Sequence, residues 1–458
     1  MRKPVGLAGH DLDRSTLPLL LTLGLGVFAG ALDLGVLSPA LPAIGQTFGV
    51  PTGSLAWIFT LYLLVSVVSI AITSTLADRY GRRPVYVGCV LTFALGSVIA
   101  VFSHSYGVFL LARAVQAFGA GGIFPVATAA IGDVVPAQRR GAALGLVAAT
   151  WGLAAIIGPT FGGIVTHFIS WRWIFIANFP LAIVVTYLAT KHVPVNAPRV
   201  RGPLDVVGVG LLSLGLLALA YGLSAPSLPS IGFSLTVFAL FYFWERNSRS
   251  PVIAPVLLTN SQLRKTYALE LVIGMLEGAL FFIPTVLVGA QHLSYLAAGL
   301  IAAIGALVFV AVIPISGRML DRIGSRDVLL IGALATEIGL VIFALGFSSL
   351  WLAVLAMVVA GIGFGALLGA PTRFIITNQT TQATRATAVG LLSQFLIMGQ
   401  IIGASIAGGV IGQAANDLRG FKSAYEIFAA LAFLAIIIAA TLKSRRAERI
   451  MGLEAGTP

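Results

Sequence analysis

Long apolar runs, broken by short charged or Pro- and Gly-containing turns, form the dominant pattern of this chain. A helix that crosses a bilayer needs about 20 apolar residues to cover roughly 30 Å of hydrocarbon. Runs of about this length predict fourteen transmembrane spans, numbered here in chain order. The predicted spans are 17–43, 54–76, 85–103, 107–133, 141–166, 171–190, 205–224, 228–244, 266–289, 295–316, 328–347, 350–376, 387–413 and 424–442.

The composition favours a membrane protein over a soluble one. Of the 458 residues, 58% are hydrophobic and only 10% are charged, and the mean hydropathy is +1.00. A soluble domain cannot hide so much apolar surface, so lipid is the expected solvent for most of the chain. The single cysteine, Cys89, rules out an intrachain disulfide and a cysteine-based metal site. The sequence carries no phosphate-loop motif and no nucleophile–base constellation, so we expect neither an enzyme nor a bound cofactor.

The distribution of basic residues orients the spans. Arg172, Arg419 and Lys422 fall in loops assigned to the outside, and Arg113 and Arg373 fall within spans. All other Lys and Arg residues lie on the side assigned to the cytoplasm, which fits the positive-inside rule. This predicts a multi-pass protein of the inner cell membrane with both termini in the cytoplasm. Because orientation accounts for the net charge of +12, no nucleic-acid partner is expected.

An internal repeat divides the chain into two similar halves. The stretches LADRYGRRP (76–84) and GRMLDRIGSR (317–326) each follow an apolar run and each read Asp-Arg-x-Gly-x-Arg, with Asp78 and Asp321 243 residues apart. RGAALGL (140–146) and RATAVGL (385–391) match at nearly the same offset. The repeat predicts a duplicated six-helix unit. The predicted parts are an N-terminal tail (1–16), a first bundle (17–192), a linker with two extra spans (193–265), a second bundle (266–442) and a C-terminal tail (443–458).

Five segments resemble the motifs of one transporter family. They are LDLGVLSPALP (32–42), LADRYGRRP (76–84), LLARAVQAFGAGG (110–122), GLAAIIGPTFGG (152–163) and SWRWIFIANFP (170–180). Because they occur in order on the appropriate helices, the chain resembles the major facilitator superfamily, and within it the drug:proton antiporters with fourteen spans. Ser74 and Ala154 stand where that family usually has Gly.

The resemblance implies both a fold and a function. The expected fold is an all-α polytopic membrane protein with two pseudo-symmetric six-helix bundles and a two-helix insertion. The expected function is secondary active export, in which protons are exchanged for lipophilic small molecules, cations among them, by alternating access. Export of an endogenous lipid or secondary metabolite is the alternative, and proton-coupled symport is less favoured. The expected partners are the lipid bilayer, the lipophilic substrate and protons. A monomer is expected, although the sequence leaves the oligomeric state open.

Two charges lie inside spans of the first half. An ionised side chain at mid-membrane costs about 2.5–3.5 kcal/mol or more, so each needs a compensating function or partner. The resemblance implies that span 1, with Asp33, and span 4, with Arg113 and Gln116, line the central cavity. The hypothesis is that Asp33 carries a proton or binds a cation and that Arg113 modulates it. The alternative is a static ion pair that holds the two helices together.

The second half carries its acids elsewhere. Arg113 aligns near Val359, so the second half has no equivalent arginine. Glu270 and Glu277 are seven residues apart on span 9 and therefore share a helix face. Glu277 is predicted to be a second protonation site.

Glu270 is predicted to pair with Arg373 on span 12, and the alternative is that both side chains only snorkel to the inner surface. Glu337, midway along the peripheral span 11, has no recognisable partner, and a structural or oligomer-related role is favoured.

The repeated charged turns predict a conformational gate. The resemblance implies that Asp78, on the short loop after span 2, contacts the start of span 13 when the cytoplasmic side is shut. Helix N-termini attract carboxylates, which fits this contact. Solvated loop charges are the alternative for the arginines. The predicted gate comprises Asp78, Arg79, Gly81, Arg82, Arg83, Asp133, Arg140, Asp321 and Arg322.

A hinge is predicted on span 5 at Gly158, Pro159, Gly162 and Gly163. Proline removes a backbone donor, and glycines allow bending and close helix contact. The repeat partner reads Gly403-Ala404 without a proline, so a kink would belong to one half only. Plain helix packing is the alternative. The role of the extra hairpin, 205–244, is left open between a spacer, a lipid-side wall and a contact surface.

Overall fold

The computed structural model describes residues 16–195, 205–248, 251–253, 255–346, 349–381 and 384–445. Every regular element in these ranges is a helix. Fourteen helical spans in the described ranges are long and apolar enough to cross a membrane, which confirms the predicted number. Their bounds are Leu17–Phe48, Thr52–Tyr80, Arg82–Val101, Tyr106–Val134, Ala143–Phe168, Arg172–His192, Val206–Ser224, Leu228–Asn247, Ser261–Gln291, Tyr295–Ile323, Ser325–Gly346, Leu350–Asn378, Thr387–Gln413 and Asp417–Ala440.

Several spans extend beyond the predicted apolar runs. The helix of span 5 begins at Ala137 and that of span 13 at Arg385. Span 14 begins at Asp417, so Arg419 and Lys422 lie in its first turns rather than in a loop. Asn416 caps this helix by accepting a hydrogen bond from the Arg419 backbone amide at 2.8 Å. Capping permits a helix to run into the polar interface, which hydropathy alone does not reveal.

The short charged loops are also shorter than predicted. Span 2 continues to Tyr80, so Asp78 lies in its last turn, and Gly81 alone separates it from span 3. Gly81 has φ of 97° and its repeat partner Gly324 has φ of 90°. Glycine adopts this region without the Cβ clash that other residues meet, so the two spans can reverse within one residue.

Spans 1 and 9 are each broken close to a proline. Span 1 passes through a 3₁₀ turn at Ser38–Ala40 before it continues as Leu41–Phe48. Span 9 breaks after Leu280 and resumes at Ile283, one residue before Pro284. A proline has no backbone N–H to donate, and its ring clashes with the carbonyl group one helical turn earlier, so the helix tends to break at these sites. The breaks of spans 1 and 9 lie at equivalent places in the two halves.

The two halves repeat the same helix packing. In the first half, span 1 packs on span 5, span 3 on span 4, and span 2 on span 4. In the second half, span 9 packs on span 13, span 11 on span 12, and span 10 on span 12. Each pair in one half has its counterpart eight spans later, which is the pseudo-symmetry that the repeat predicts.

Two seams join the halves, one between spans 5 and 10 and the other between spans 2 and 13. We call the end of the molecule that carries Gly81 and Gly324 the basic end, and the other the closed end. At the closed end, the Ser38 hydroxyl donates to the Phe281 carbonyl at 2.6 Å, and the Phe59 and Phe281 rings stack with centroids 4.3 Å apart.

The same seams separate toward the basic end. Gly53 packs directly on Gly408 at the closed end, and Gly152 still meets Val310 near the middle of span 5. Gly145 and Gly390 lie closer to the basic end. A Cβ methyl group added at either glycine would have no neighbouring atom within 4 Å. The molecule is therefore shut at the closed end and open at the basic end.

Candidate functional site

A buried ion pair lies at the centre of the first half. Arg113 Nη1 is 2.5 Å from Asp33 Oδ2, and the two residues are 0% and 2% exposed. Gln116, one turn farther along span 4, accepts from Arg113 Nη1 at 2.7 Å and donates to Asp33 Oδ1 at 3.3 Å. Asp33, Arg113 and Gln116 thus form one hydrogen-bonded group.

This group is tied to three more spans. Gln116 Nε2 donates to Ser97 Oγ at 2.7 Å, and Asn178 Nδ2 donates to the same hydroxyl at 3.1 Å. The Arg113 guanidinium carbon lies 4.3 Å from the centre of the Tyr62 ring, a cation–π arrangement. The sequence reasoning missed Ser97, Asn178 and Tyr62. Asn178 lies in the family-like motif SWRWIFIANFP (170–180), and this motif could have indicated its importance.

The first-half network is sealed inside its bundle. Because Asp33 faces both a cation and an amide donor, its negative charge is compensated where it stands. Arg113 Nε and Nη2 have no hydrogen-bond partner. This geometry corresponds to the static ion pair of the sequence analysis, and a proton-carrying role for Asp33 would require the pair to open.

The acids of the second half have a different environment. Glu277 is half-buried near the middle of span 9, and Gln400 Nε2 donates to its Oε2 at 2.9 Å. Gly274 and Gly278 lie against the span 13 backbone at Leu396 and Gln400. Small residues let helices approach closely in membranes, so these glycines bring Gln400 within reach of Glu277. Among the described residues, no cation lies within 4.0 Å of the Glu277 carboxylate.

Glu270 is the more deeply buried of the two acids. It is 4% exposed, and its Oε2 has no hydrogen-bond partner. The charge of Arg373 and the hydroxyl of Thr372 act on this carboxyl, but no Glu270–Arg373 ion pair within 4.0 Å is found in the described part of the chain. In this conformation Arg373 is exposed on its own helix and acts on Glu270 only through its charge, so the predicted pairing of the two side chains stays a prediction. Burial also separates Glu270 from the snorkelling alternative.

Glu337 remains without an identified partner. Its side chain is half-buried on span 11, and Oε2 has no hydrogen-bond partner. Exposed Leu334 and Ile338 flank it, as expected for a lipid-facing helix surface. The described residues contain no group of three His, Cys, Asp or Glu side chains that could hold a metal ion.

The predicted gate residues form two separate clusters at the basic end. In the first half, Arg82 pairs with Asp78 at 2.6 Å and with Asp133 at 3.0 Å. Arg83 donates to the Val193 carbonyl at 2.7 Å, and Arg140 donates to the Val135 carbonyl at 2.8 Å. These partners lie in the first bundle or, for Val193, directly after it, as expected while the basic end is open.

The repeat of this motif in the second half is stabilised differently. Arg445, which follows span 14, donates to the carbonyls of Asp321, at 2.7 Å, and Arg322. A cation at the C-terminus of a helix interacts favourably with the helix dipole. The side chains of Asp321 and Arg322 themselves are exposed, as is Arg79 in the first half.

The predicted hinge lies where span 5 meets two other spans. Gly158 and Gly162 pack against the span 1 backbone at Gly35 and Val36. Gly163 faces the start of span 10, and the Pro159 carbonyl lies against Gly299 of that span. The helix is continuous through Pro159. The motif therefore packs its own bundle and also forms the closed end of the seam between spans 5 and 10.

Comparison with known proteins gives one consistent family. The family model described as Major Facilitator Superfamily matches residues 23–274 and 266–456. The MFS-type transporter YfiU of Bacillus subtilis is 33% identical over 415 residues, 84% of this chain and 78% of the relative. A multidrug resistance protein B homolog of Mycobacterium tuberculosis is 28% identical over 82% of this chain and 74% of its own length.

A solved structure shows the same fold. The inward-facing, unoccupied structure of a bacterial homolog of the human lysosomal transporter Spinster superimposes with a TM-score of 0.69. It is 17% identical and covers 98% of this chain and 100% of that chain.

Proposed function

This chain belongs to the major facilitator superfamily and is a multi-pass membrane transporter, not an enzyme, and on that premise we propose that it is a proton-coupled exporter of lipophilic small molecules. The observation that carries the proposal is the pair of second-half carboxylates, Glu277 and Glu270, neither of which has a cation within 4.0 Å among the residues that the structure describes. In the proposed cycle, cargo enters from the basic end and leaves after the closed end has opened.

The chemistry of antiport follows from this uncompensated charge. Leaving an isolated carboxylate ionised in an apolar interior is costly, so it must be neutralised or paired. A proton and a cationic group of the cargo can each do this, and they compete for the same oxygen atoms. Release of protons when cargo binds on one side, and the reverse on the other side, would let the proton gradient drive the exchange.

Two further considerations support the direction and the cargo. The positive-inside rule assigns the basic end to the cytoplasm of an inner-membrane protein, so the observed opening is the one from which an exporter loads. A relative carries the name multidrug resistance protein B homolog, which supports a broad class of lipophilic cargo rather than one polar solute.

The proposal is tested in proteoliposomes with an imposed pH gradient. A panel of lipophilic cations is supplied, and the initial rate of cargo movement is measured with the gradient in each direction and with none. We expect cargo to move against the direction of proton flow and the rate to follow the gradient. Equal rates under all three conditions would overturn the proton-coupled antiport.

A further inference from the structure

We propose that lipophilic cargo enters between the two bundles from the bilayer, through the seam between spans 5 and 10, and that the hairpin of spans 7 and 8 closes the equivalent seam between spans 2 and 13. The proposal rests on the proposed function, because it assumes a lipophilic cargo. It assigns the extra hairpin, which a pseudo-symmetric transporter of two six-helix bundles lacks, the role of making entry one-sided.

The two seams are equivalent by the internal repeat. Span 13 is the counterpart of span 5, and span 2 is the counterpart of span 10. Without the hairpin, both seams would present the same kind of opening to lipid at the basic end. Any difference between them must come from what lies outside the two bundles or from their side chains.

The hairpin covers one of these seams. Span 7 packs on both span 2 and span 13. The Trp57 ring of span 2 lies 6.4 Å from the Tyr221 ring of span 7, and Gly409 of span 13 lies against the Leu223 carbonyl. A single buried apolar cluster contains Leu63, Leu64 and Val67 of span 2, Leu212, Leu216 and Ala220 of span 7, Phe241 of span 8 and Ile401 of span 13.

The hairpin is also anchored at its basic end. Glu245 of span 8 is 4% exposed and accepts the backbone N–H groups of Val252 and Ile253 at 3.2 and 2.9 Å. Asp205, just before span 7, accepts from Trp244 Nε1 at 2.8 Å and from the Ser248 hydroxyl at 2.6 Å. These bonds fix the two ends of the hairpin to each other and to the segment that leads into the second half.

The other seam has no such cover. Within the described ranges, spans 5 and 10 contact each other and helices of their own halves, and span 10 also contacts the turn Ser38–Ala40 of span 1 at the closed end. Neither span has a substantial contact with spans 7 or 8. Only 17% of the apolar stretch of each of spans 5 and 10 is buried, whereas the values are 61% for span 2 and 50% for span 13. Repeat partners with such different burial show that the seams are not equivalent in the folded protein.

The uncovered seam, between spans 5 and 10, is open toward the basic end, where cargo would enter from the membrane. It is closed from Gly163 and Gly299 as far as Gly152 and Val310, and it is open beside Gly145. Exposed apolar side chains line span 5 from the opening to the start of the closed part of the seam, among them Leu144, Trp151 and Leu153. Trp151 lies edge-on to the exposed Phe124 ring of span 4, at 6.4 Å between ring centroids. This side of the molecule thus offers an apolar and aromatic entrance.

The test uses two matched cysteine variants. Cys89 is buried, so Cys89→Ser provides a background for single cysteines at exposed Gly145 on span 5 or exposed Gly390 on span 13. These two positions are repeat partners in the matching segments 140–146 and 385–391. Each variant is reconstituted in nanodiscs and reacted with a bulky maleimide, so that the adduct occupies one mouth of one seam.

The measurement is the rate at which a fluorescent quaternary ammonium dye associates with the protein. The dye is used once with a hexadecyl chain, which places it in the bilayer, and once with a methyl group, which leaves it in water. We expect the adduct at position 145 to slow association of the hexadecyl dye about tenfold and the adduct at position 390 to change it by less than about twofold. The methyl dye should be affected equally by the two adducts.

Two outcomes would overturn the lateral route: equal slowing of the hexadecyl dye by both adducts, or no slowing by the adduct at position 145. Association requires no transport cycle, so this result is distinguishable from a loss of proton coupling, which would appear only in the pH-gradient assay. If Gly145→Cys fails to fold, Leu153→Cys and its repeat partner Met398→Cys ask the same question at greater depth, because Leu153 is exposed and Met398 packs against the hairpin cluster.

Discussion

The two bundles share their packing but treat buried charge in opposite ways. In the first half, Asp33 is held by Arg113 and Gln116 in a network that is closed to solvent. In the second half, Glu277 receives one hydrogen bond from an uncharged amide, and Glu270 has an oxygen with no partner. The comparison teaches that fold symmetry does not carry chemical symmetry. The acid of the first half is compensated within its own bundle, whereas we propose that the acids of the second half are available for proton exchange.

The largest expected effect comes from breaking the first-half pair. Arg113→Met leaves Asp33 buried and uncompensated, and removal of one partner of a buried pair costs about 3–5 kcal/mol. We expect a large fall in the thermal unfolding midpoint in detergent. The double variant Asp33→Leu/Arg113→Met should recover most of the loss, because neither charge remains buried. If the single and double variants unfold at the same temperature, the pair is not what stabilises this bundle.

The next largest effect is expected for Glu277→Gln, and it should appear in transport rather than in stability. The amide keeps the side-chain volume and a hydrogen bond to Gln400 but cannot bind or release a proton. We expect proton-driven cargo transport to fall about tenfold or more, with little change in the unfolding midpoint. Asp33→Asn serves as the comparison in the unfolding measurement. It should lower the unfolding midpoint clearly, unlike Glu277→Gln. Unchanged pH-dependent transport by Glu277→Gln would remove this residue from the mechanism.

Glu270 and Arg373 should change cargo affinity in opposite directions. Glu270→Gln removes an attractive charge, so a cationic dye should bind about tenfold more weakly, whereas an uncharged dye of similar size should bind unchanged. Arg373→Gln removes a repulsive charge and should strengthen binding of the cation. Equilibrium fluorescence titrations measure both. A parallel change for the charged and uncharged dyes would show that Glu270 supports structure rather than charge recognition.

The smallest expected effect concerns Asp205, an acid outside the spans that, like Glu277, is held by uncharged donors. Burial raises the pKa of Asp205, but hydrogen bonds from Ser248, Gly208 and Trp244 outweigh this and hold the pKa below its ordinary value. A lowered folded-state pKa stabilises the fold above the unfolded-state pKa of about 3.9 and loses this contribution as the pH falls through the folded-state value.

Asp205→Asn should therefore lower the unfolding midpoint slightly at neutral pH. The difference from the parent protein should shrink as the pH falls below about 4, where Asp205 itself becomes protonated. Thermal unfolding at several pH values, with Asn247→Ala as a nearby surface control, measures the effect. A difference that persists unchanged at acid pH would mean that the anchor does not depend on the carboxylate charge.

Several features of the site were within reach of the sequence. Asp33 and Arg113 are 80 residues apart in the chain. The cost of a charge in lipid marks both residues, the family resemblance places them on neighbouring spans, and in the structure they form an ion pair. Glu270 and Glu277 were identified by their helical spacing. Ser97 and Tyr62 were not, because a hydroxyl and an aromatic ring are common in spans and only the packing of spans 2, 3 and 4 places them on the network.

The sequence by itself determined the fourteen spans, their duplication and the identity of the buried charges. It could do so because the hydrophobic match to a bilayer and the cost of intramembrane charge are local properties of each segment. Only the tertiary structure decided which end of the seams is closed, that Arg82 pairs with Asp78, and that the hairpin covers one seam. It also decided that no salt bridge joins Glu270 and Arg373 among the described residues. These features depend on how whole helices pack against one another, and that packing is set by many weak contacts between segments far apart in the chain.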